Sequence, residues 1–300
     1  MELTSNSLDD IIERTVVELY RIAETILPND VKEALVEAYK REINPVAKSI
    51  LSAILENVEL AEKESIPICQ DTGTPIFYLE LGENFPIRAR LREIIIKGTR
   101  RATREVPLRP NTVNPLTGAN PGDNTGRFIP YIEWDIVEGD SLKITVLPKG
   151  GGSEFTTQLK NIASGLGIKG VKRTVIKAIF EAGGRPCPPI IVGVGIGGSA
   201  DIALKLAKKA ILRPVNVRHQ EPEIAKLEEE LYNTLNQLGI GPMGLGGNTT
   251  VLGVNIEYAY RHPALIPVGI ATQCWAARRA SAQISSDGRV EILSHDVKID

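Results

Sequence analysis

From Asn44 to Pro67 the chain has one good local option, a long helix. Asn44 suits the cap, and Pro45 suits the first helical position, where its missing N–H would go unused anyway. Val46, Ile50, Ile54 and Val58 follow at spacing four, with Leu51 and Leu55 beside them, which marks an apolar face. Ile66-Pro67 ends the run, because the residue before a proline is pushed out of the α region. Cys69 is therefore delivered just beyond a long helix, on a loop.

That cysteine is one of only three. Cys69 lies in Pro67-Ile68-Cys69-Gln70-Asp71-Thr72-Gly73, Cys187 in Gly184-Arg185-Pro186-Cys187-Pro188-Pro189, and Cys274 in Ala271-Thr272-Gln273-Cys274-Trp275. Each stands where a periodic segment gives way to turn-forming or polar residues. A structural cysteine usually hides among aliphatic neighbours as a small hydrophobe; these three are presented. Three thiolates converging on one point would make a metal or iron–sulfur site with a vacancy. Their spacing matches neither zinc-finger nor ferredoxin patterns, so three unrelated thiols is the competing reading. The flanks favour a site: Gln70, Asp71, Arg185 and Gln273 are hydrogen-bonding neighbours able to orient thiolates or substrate.

Composition narrows the classes. With 42% hydrophobic and 24% charged residues the chain is an ordinary globular one, and a net charge of −2 argues against nucleic acid or a membrane surface as partner. The longest apolar runs, such as Pro189–Gly198, fall short of a membrane span. Met1-Glu2-Leu3-Thr4 opens without a basic-then-apolar leader. An odd, sparse cysteine count then points to the reducing cytoplasm, with thiols or metal ligands rather than disulfides.

The expected fold class is α+β (mixed α/β), one domain over 1–300 with a helical part (1–66) and a mixed α/β part (67–300) that carries the three cysteines. Ser7-Leu8-Asp9-Asp10 reads as a capping box before Ile11, Ile12, Val16 and Leu19. A second helix follows Pro28-Asn29-Asp30, with Val31, Leu35, Ala38 and Tyr39 on one face. Ile76–Leu81 is strand-like, Ile87–Val106 a basic helix, and Pro107–Arg127 a long loop of the kind that tends to be functional. Phe128–Val137 and Leu142–Leu147 alternate like two strands around Glu138-Gly139-Asp140. Helix-like stretches run on to Ala182, a buried strand covers Pro189–Val194, and helices cover Ser199–Leu212 and Glu221–Leu238. From Gly239 the chain is Gly-rich, then mostly strand.

Three further motifs bear on function. Gly193-Val194-Gly195-Ile196-Gly197-Gly198 fits the dinucleotide-binding fingerprint, yet no second buried strand ending in an acidic residue follows, so tight turning and close packing are the better reading. Lys149-Gly150-Gly151-Gly152-Ser153-Glu154 is no P-loop, but its glycines allow backbone N–H groups to converge on an anion. His262 lies one strand before Cys274, which makes it a candidate, although most such histidines are structural.

The chain resembles the class I (iron–sulfur) fumarate hydratase and L-tartrate dehydratase family, in its α subunit or N-terminal half. The resemblance is carried by Pro67–Thr74, by Val106-Pro107-Leu108-Arg109-Pro110-Asn111, by Lys149–Glu154 and Gly193–Ala200, and above all by Arg261-His262-Pro263 with Gln273-Cys274-Trp275-Ala276-Ala277-Arg278-Arg279. It implies that Cys69, Cys187 and Cys274 hold a [4Fe–4S] cluster whose fourth iron has no protein ligand and acts as a Lewis acid. The implied reaction is reversible hydration of fumarate to L-malate, with L(+)-tartrate dehydration as the alternative. By the same resemblance Gln70, Arg109, Gly151 and Gly152 bind substrate, and Asp71 and His262 serve catalysis. The family's catalytic base lies in a further region that does not appear before Asp300. The resemblance thus implies a separate β subunit, as in an α2β2 heteromer. Outside this class stand an NAD-binding dehydrogenase built on Gly193–Gly198 and a zinc-binding scaffold. Phe155 departs from the pattern, where a polar residue is expected.

Overall fold

The computed structural model describes residues 5–297; Met1–Thr4, read above as no leader, lie outside them. In chain order the elements are α1 (Ser5–Thr25), α2 (Asn29–Arg41), α3 (Pro45–Glu64), β1 (Thr74–Gly82), α4 (Leu91–Glu105), β2 (Tyr131–Val137), β3 (Leu142–Lys149), α5 (Gly151–Phe155), β4 (Gln158–Ala163), α6 (Gly167–Ala182), β5 (Ile190–Gly198), α7 (Ala200–Ala210), α8 (Pro222–Asn236), β6 (Val251–Arg261), β7 (Leu265–Gln273), β8 (Ala280–Ile284) and β9 (Val290–Ile292). The fold is mixed α+β, with two mixed sheets. Among the described residues no helix is long and apolar enough to cross a membrane.

Helix α3 shows how local chemistry sets its frame. The Asn44 Oδ1 accepts from the N–H groups of Val46 and Ala47 at 2.9 and 3.2 Å, a side-chain cap worth about 1 kcal/mol. The buried stripe is Ala47, Leu51, Ile54, Val58 and Ala61, while Val46 is exposed and Ile50 half-buried. A row at strict spacing four drifts roughly 40° round the helix per step, so the stripe alternates fours and threes instead. At the other end of the expectations, α1 is already helical at Ser5, which puts Ser7 inside the helix rather than at its cap.

The chain divides into two compact units. The first holds the chain up to Pro28, Val58–Lys149 and the chain from Arg278. Its sheet runs β2-β1-β3-β8-β9, with β1 parallel to β2 and the other pairs antiparallel. Helices α1 and α4 bury Ile12, Val16, Leu19, Leu91 and Ile95 with Phe77, Leu79, Ile144 and Ala282 of the sheet. The strands expected on either side of Glu138–Asp140 both form, but they do not pair: β1 lies between them. Gly82 makes this possible. Its N–H donates to the Ser141 carbonyl at 2.8 Å, and a Cβ there would stand 2.7 Å from the Gly139 carbonyl, so only glycine fits beneath that turn.

The second unit holds Asn29–Asn57 and Gly150–Ala277. Its sheet runs β4-β7-β5-β6, parallel only between β5 and β6. One face buries Val192 and Val194 of β5, Val268 of β7 and Val254 of β6 with Val171, Val175, Leu227 and Leu231 of α6 and α8. Strand β4 falls in a stretch that reads as helical; it is a short, half-exposed edge strand, and pairing with β7 decides it.

The glycine fingerprint resolves as packing. Gly193 and Gly195 lie within β5 rather than in a loop, and a Cβ on either would come within 2.0 and 1.9 Å of the Ala207 and Ala203 carbonyls of α7. Gly269 of β7 would meet Ala203 in the same way, at 2.3 Å. The helix therefore lies almost on the sheet, which Ala203 and Ala207 permit by their size. Gly195→Ala is expected to force α7 outward and cost about 1–3 kcal/mol in a urea titration; an unchanged midpoint would show that the contact yields freely.

Candidate active site

In the first unit, Cys69 lies in a turn between α3 and β1 whose backbone is fastened on both sides. The Ile68 N–H donates to the Glu24 carbonyl at 2.8 Å. Gly73, at φ 73°, approaches β3 so closely that a Cβ would stand 2.7 Å from the Lys149 nitrogen. The Asp71 Oδ1 accepts from the Gly73 N–H at 2.9 Å, an Asx turn that aims the carboxylate back over its own loop. The loop after α4 closes against this turn: Arg109 N–H donates to the Thr72 hydroxyl at 3.0 Å. Cys69 and Asp71 are half-buried, and Gln70 and Arg109 are exposed.

Behind the turn stands a buried ion pair. Arg278 Nη1 donates to Glu24 Oε2 at 2.7 Å, and the two side chains are 1% and 0% exposed. Burial pushes the Glu24 carboxyl up to about 7 despite Arg278, and the nearby Asp71 charge adds to the rise.

In the second unit the sheet itself gathers the other candidates. Strands β5 and β7 are antiparallel neighbours with Ile191 opposite Gln273, so Cys187, just before β5, and Cys274, just after β7, emerge at the same end. The Trp275 N–H donates to the Cys187 carbonyl at 3.3 Å, joining the two loops directly. The start of α5, at Gly151 and Gly152, belongs to the same end. Thr272 Oγ1 donates to the Ser153 carbonyl at 3.1 Å and shares a 2.7 Å hydrogen bond with Thr156 Oγ1. A Cβ on Gly152 would meet the Arg185 carbonyl at 3.2 Å. Phe155, where a polar residue is expected, is 75% exposed and lies under the Arg185 guanidinium, 5.7 Å from its ring centroid.

His262 is not with them. It is exposed in the turn joining β6 to β7, its Nδ1 accepting from the Ala264 N–H at 3.2 Å. Cys274 stands beyond the far end of β7, and a nine-residue strand spans roughly 30 Å. One strand of sequence is thus a long way in space, because the strand is extended. The structure groups Gln70, Asp71 and Arg109 around Cys69, and Gly151, Gly152 and Cys274 around Cys187. Among the described residues no three His, Cys, Asp or Glu side chains gather about a single metal position. None of the three cysteines is in a disulfide, and all are half-buried.

A family model described as fumarate hydratase (fumerase) matches residues 13–283. The chain belongs to that family. Among its relatives, a Methanocaldococcus jannaschii protein with the provisional name L(+)-tartrate dehydratase subunit alpha is 50% identical over 93% of this chain and 99% of its own. L(+)-tartrate dehydratase subunit alpha of Escherichia coli strain UTI89 is 40% identical over 90% of each chain, and that of strain K12 is 39% identical over the same shares. The segments that carry the resemblance fall on the two clusters just described, Pro67–Thr74 with Arg109 in one and Lys149–Glu154 with Gln273–Ala277 largely in the other. Sequence reading gave no role to Asn111, Asn124 or the Glu24–Arg278 pair, and nothing in their spacing distinguishes them from ordinary loop and helix residues.

Proposed function

We propose that this chain is the α subunit of an iron–sulfur hydro-lyase that adds water to, or removes it from, a four-carbon dicarboxylate. The observation that carries the reading is the convergence of Cys187, Cys274 and the start of α5 at Gly151 and Gly152 at one end of the second sheet. The donor set fits the cofactor: three thiols outside disulfides, presented on loops, two of them joined through the Trp275–Cys187 hydrogen bond. Cys69, Cys187 and Cys274 would hold a [4Fe–4S] cluster, which when bound supplies a Lewis acid for the substrate hydroxyl.

The chain's own residues have separate tasks. The exposed Arg109 guanidinium offers a bidentate fit to a substrate carboxylate, while its backbone is pinned to Thr72. Gln70 and the N–H groups at Gly151 and Gly152 add donors for the charge that builds on a carboxylate when the neighbouring carbon loses its proton. Asp71 stands oriented by the Gly73 N–H, able to hold a proton-transfer group in place. The base itself is assigned to a second subunit, consistent with the name subunit alpha borne by the relatives. His262 is left out of this chain's own site because it lies in the turn before β7, at the opposite end of that strand from Cys274.

Fumarate hydration to L-malate is the first reading. The second, dehydration of L(+)-tartrate to the enol of a 2-oxo dicarboxylate, is favoured by the names of the relatives. The test is to reconstitute the chain anaerobically with iron and sulfide, with and without its β subunit. Loss of fumarate absorbance or formation of a 2-oxo acid from tartrate, only in the presence of β, is expected. Turnover by the chain alone would overturn the two-subunit reading, and turnover of neither substrate by the loaded pair would overturn the hydro-lyase.

A further inference from the structure

The long segment between α4 and β2 holds no helix or strand, yet it is densely hydrogen-bonded against the Cys69 turn. Asn111 is its centre. The Asn111 Nδ2 lies 3.3 Å from each of three acceptors: the Asp71 Oδ1, the Thr72 Oγ1 and the Gly73 carbonyl. Two N–H groups spread over three acceptors leave one of them shared. The orientation of the amide is not arbitrary, since turning it over would set its oxygen against a carboxylate and a carbonyl.

Asn111 is held in turn. Its backbone N–H donates to the Asn124 Oδ1 at 2.7 Å, and Asn124 Nδ2 donates to the Arg109 carbonyl at 3.0 Å and to the Thr103 hydroxyl at 3.2 Å. Asn124 is 3% exposed and takes φ 56°, a left-handed conformation that asparagine tolerates better than most residues. Asp123 beside it is tied to Thr125 and to Arg100 of α4. A rigid helix thus holds Asn124, Asn124 holds Asn111, and Asn111 holds the turn.

We infer that Asn111 is a positioning residue: its side-chain amide fixes the Asp71 carboxylate and the Cys69–Gly73 turn in the arrangement the active site uses. Asp71 and Cys69 enter here as the site residues proposed above. The hydrogen bonds of the Asn111 side chain all go to the turn. Asn111 acts by donating to three acceptors of a turn that its own Asx bond, the Ile68 anchor and the Arg109–Thr72 hydrogen bond also hold.

The test uses the full chain, reduced and free of cluster, alkylated with iodoacetamide and followed thiol by thiol by mass spectrometry, alongside the melting temperature. In Asn111→Ala, Cys69 is expected to react about tenfold faster, as the loss of about one net hydrogen bond allows, with Cys187 and Cys274 unchanged. Asn111→Asp separates the two possible roles. It fills the same space, so a packing role predicts a rate near wild type. A donor role predicts that Cys69 becomes more reactive than in Asn111→Ala, because a carboxylate would face three acceptors. In the loaded enzyme with its β subunit, Asn111→Ala is expected to lower kcat about tenfold at nearly constant KM, since binding groups such as Arg109 keep their side chains. Equal Cys69 rates in wild type and both variants, a near-wild-type Asn111→Asp, or acceleration of all three thiols together would overturn the inference. Thiol selectivity is read without the cofactor, so a failed activity assay on the wild-type enzyme would count against the proposed reaction and leave this result standing.

Discussion

Cys187→Ser is expected to fold and to hold almost no iron after anaerobic reconstitution, where the unaltered chain takes up about four irons and four sulfides, as the cluster formula requires. A hydroxyl is a poor ligand for a soft cluster iron, and the chain offers no fourth cysteine to stand in. The fold should be spared because Cys187 is half-buried on a loop rather than packed in either core, and serine replaces it nearly atom for atom. Its backbone N–H is retained by the Gly184 carbonyl, a bond that does not depend on the side chain. The same outcome is expected for Cys69→Ser and Cys274→Ser. Iron and sulfide analysis with an optical spectrum reads it directly, and a fully loaded Cys187→Ser protein would refute the ligand assignment. A wild-type chain that is folded and takes up no cluster would return the three cysteines to unrelated thiols.

Glu24→Ala should lower the unfolding free energy of the chain by about 3–5 kcal/mol, because it leaves the Arg278 guanidinium buried without its counter-charge. Arg278→Met should do comparable harm from the other side. Replacing both together, Glu24→Ala with Arg278→Met, should cost much less than the sum of the singles, since neither charge then remains in the core. Urea titrations of the four proteins test this, and single variants within about 0.5 kcal/mol of wild type would show that water reaches the pair. The pair also predicts a pH dependence. The Glu24 carboxyl rises from 4.5 to about 7 on folding, so the folded chain binds more protons than the unfolded one between those values. Its contribution to stability is complete below the unfolded value and is lost as pH rises through about 7. The stability of wild type relative to Glu24→Gln should therefore fall from about pH 5 to about pH 8. A rising difference would mean that attraction to Arg278 outweighs burial.

Much of the candidate site was legible because the residues that bear chemistry interrupt patterns. Cys69 follows a helix that Pro67 must stop, and Cys187 and Cys274 stand at the ends of apolar strands, so their presentation on loops needed only local rules. Asn44 and Pro45 likewise announced α3 through backbone chemistry that depends on a few neighbours. Long-range placement was another matter. His262 and Cys274 are near in sequence, and an extended β7 carries them apart. Asn111 and Asp71 are far apart in sequence, and the loop after α4 folds back to join them. Glu24 and Arg278 come from opposite ends of the chain to form one pair.

Local chemistry along the chain is enough for the helices with strong caps or breakers, the buried central strands and the three presented thiols, and its motifs are enough for the family. That β1 lies between the two strands flanking Glu138–Asp140, that β4 is a strand, and that the glycine fingerprint is a seat for α7 emerge from packing in three dimensions. Tertiary packing also decided which loop residues hold the Cys69 turn. The physical reason is the range of the interactions involved. Caps, prolines and apolar periodicity act within a turn or two of chain, whereas strand neighbours, glycine contacts and side-chain amides join segments far apart in sequence within each unit.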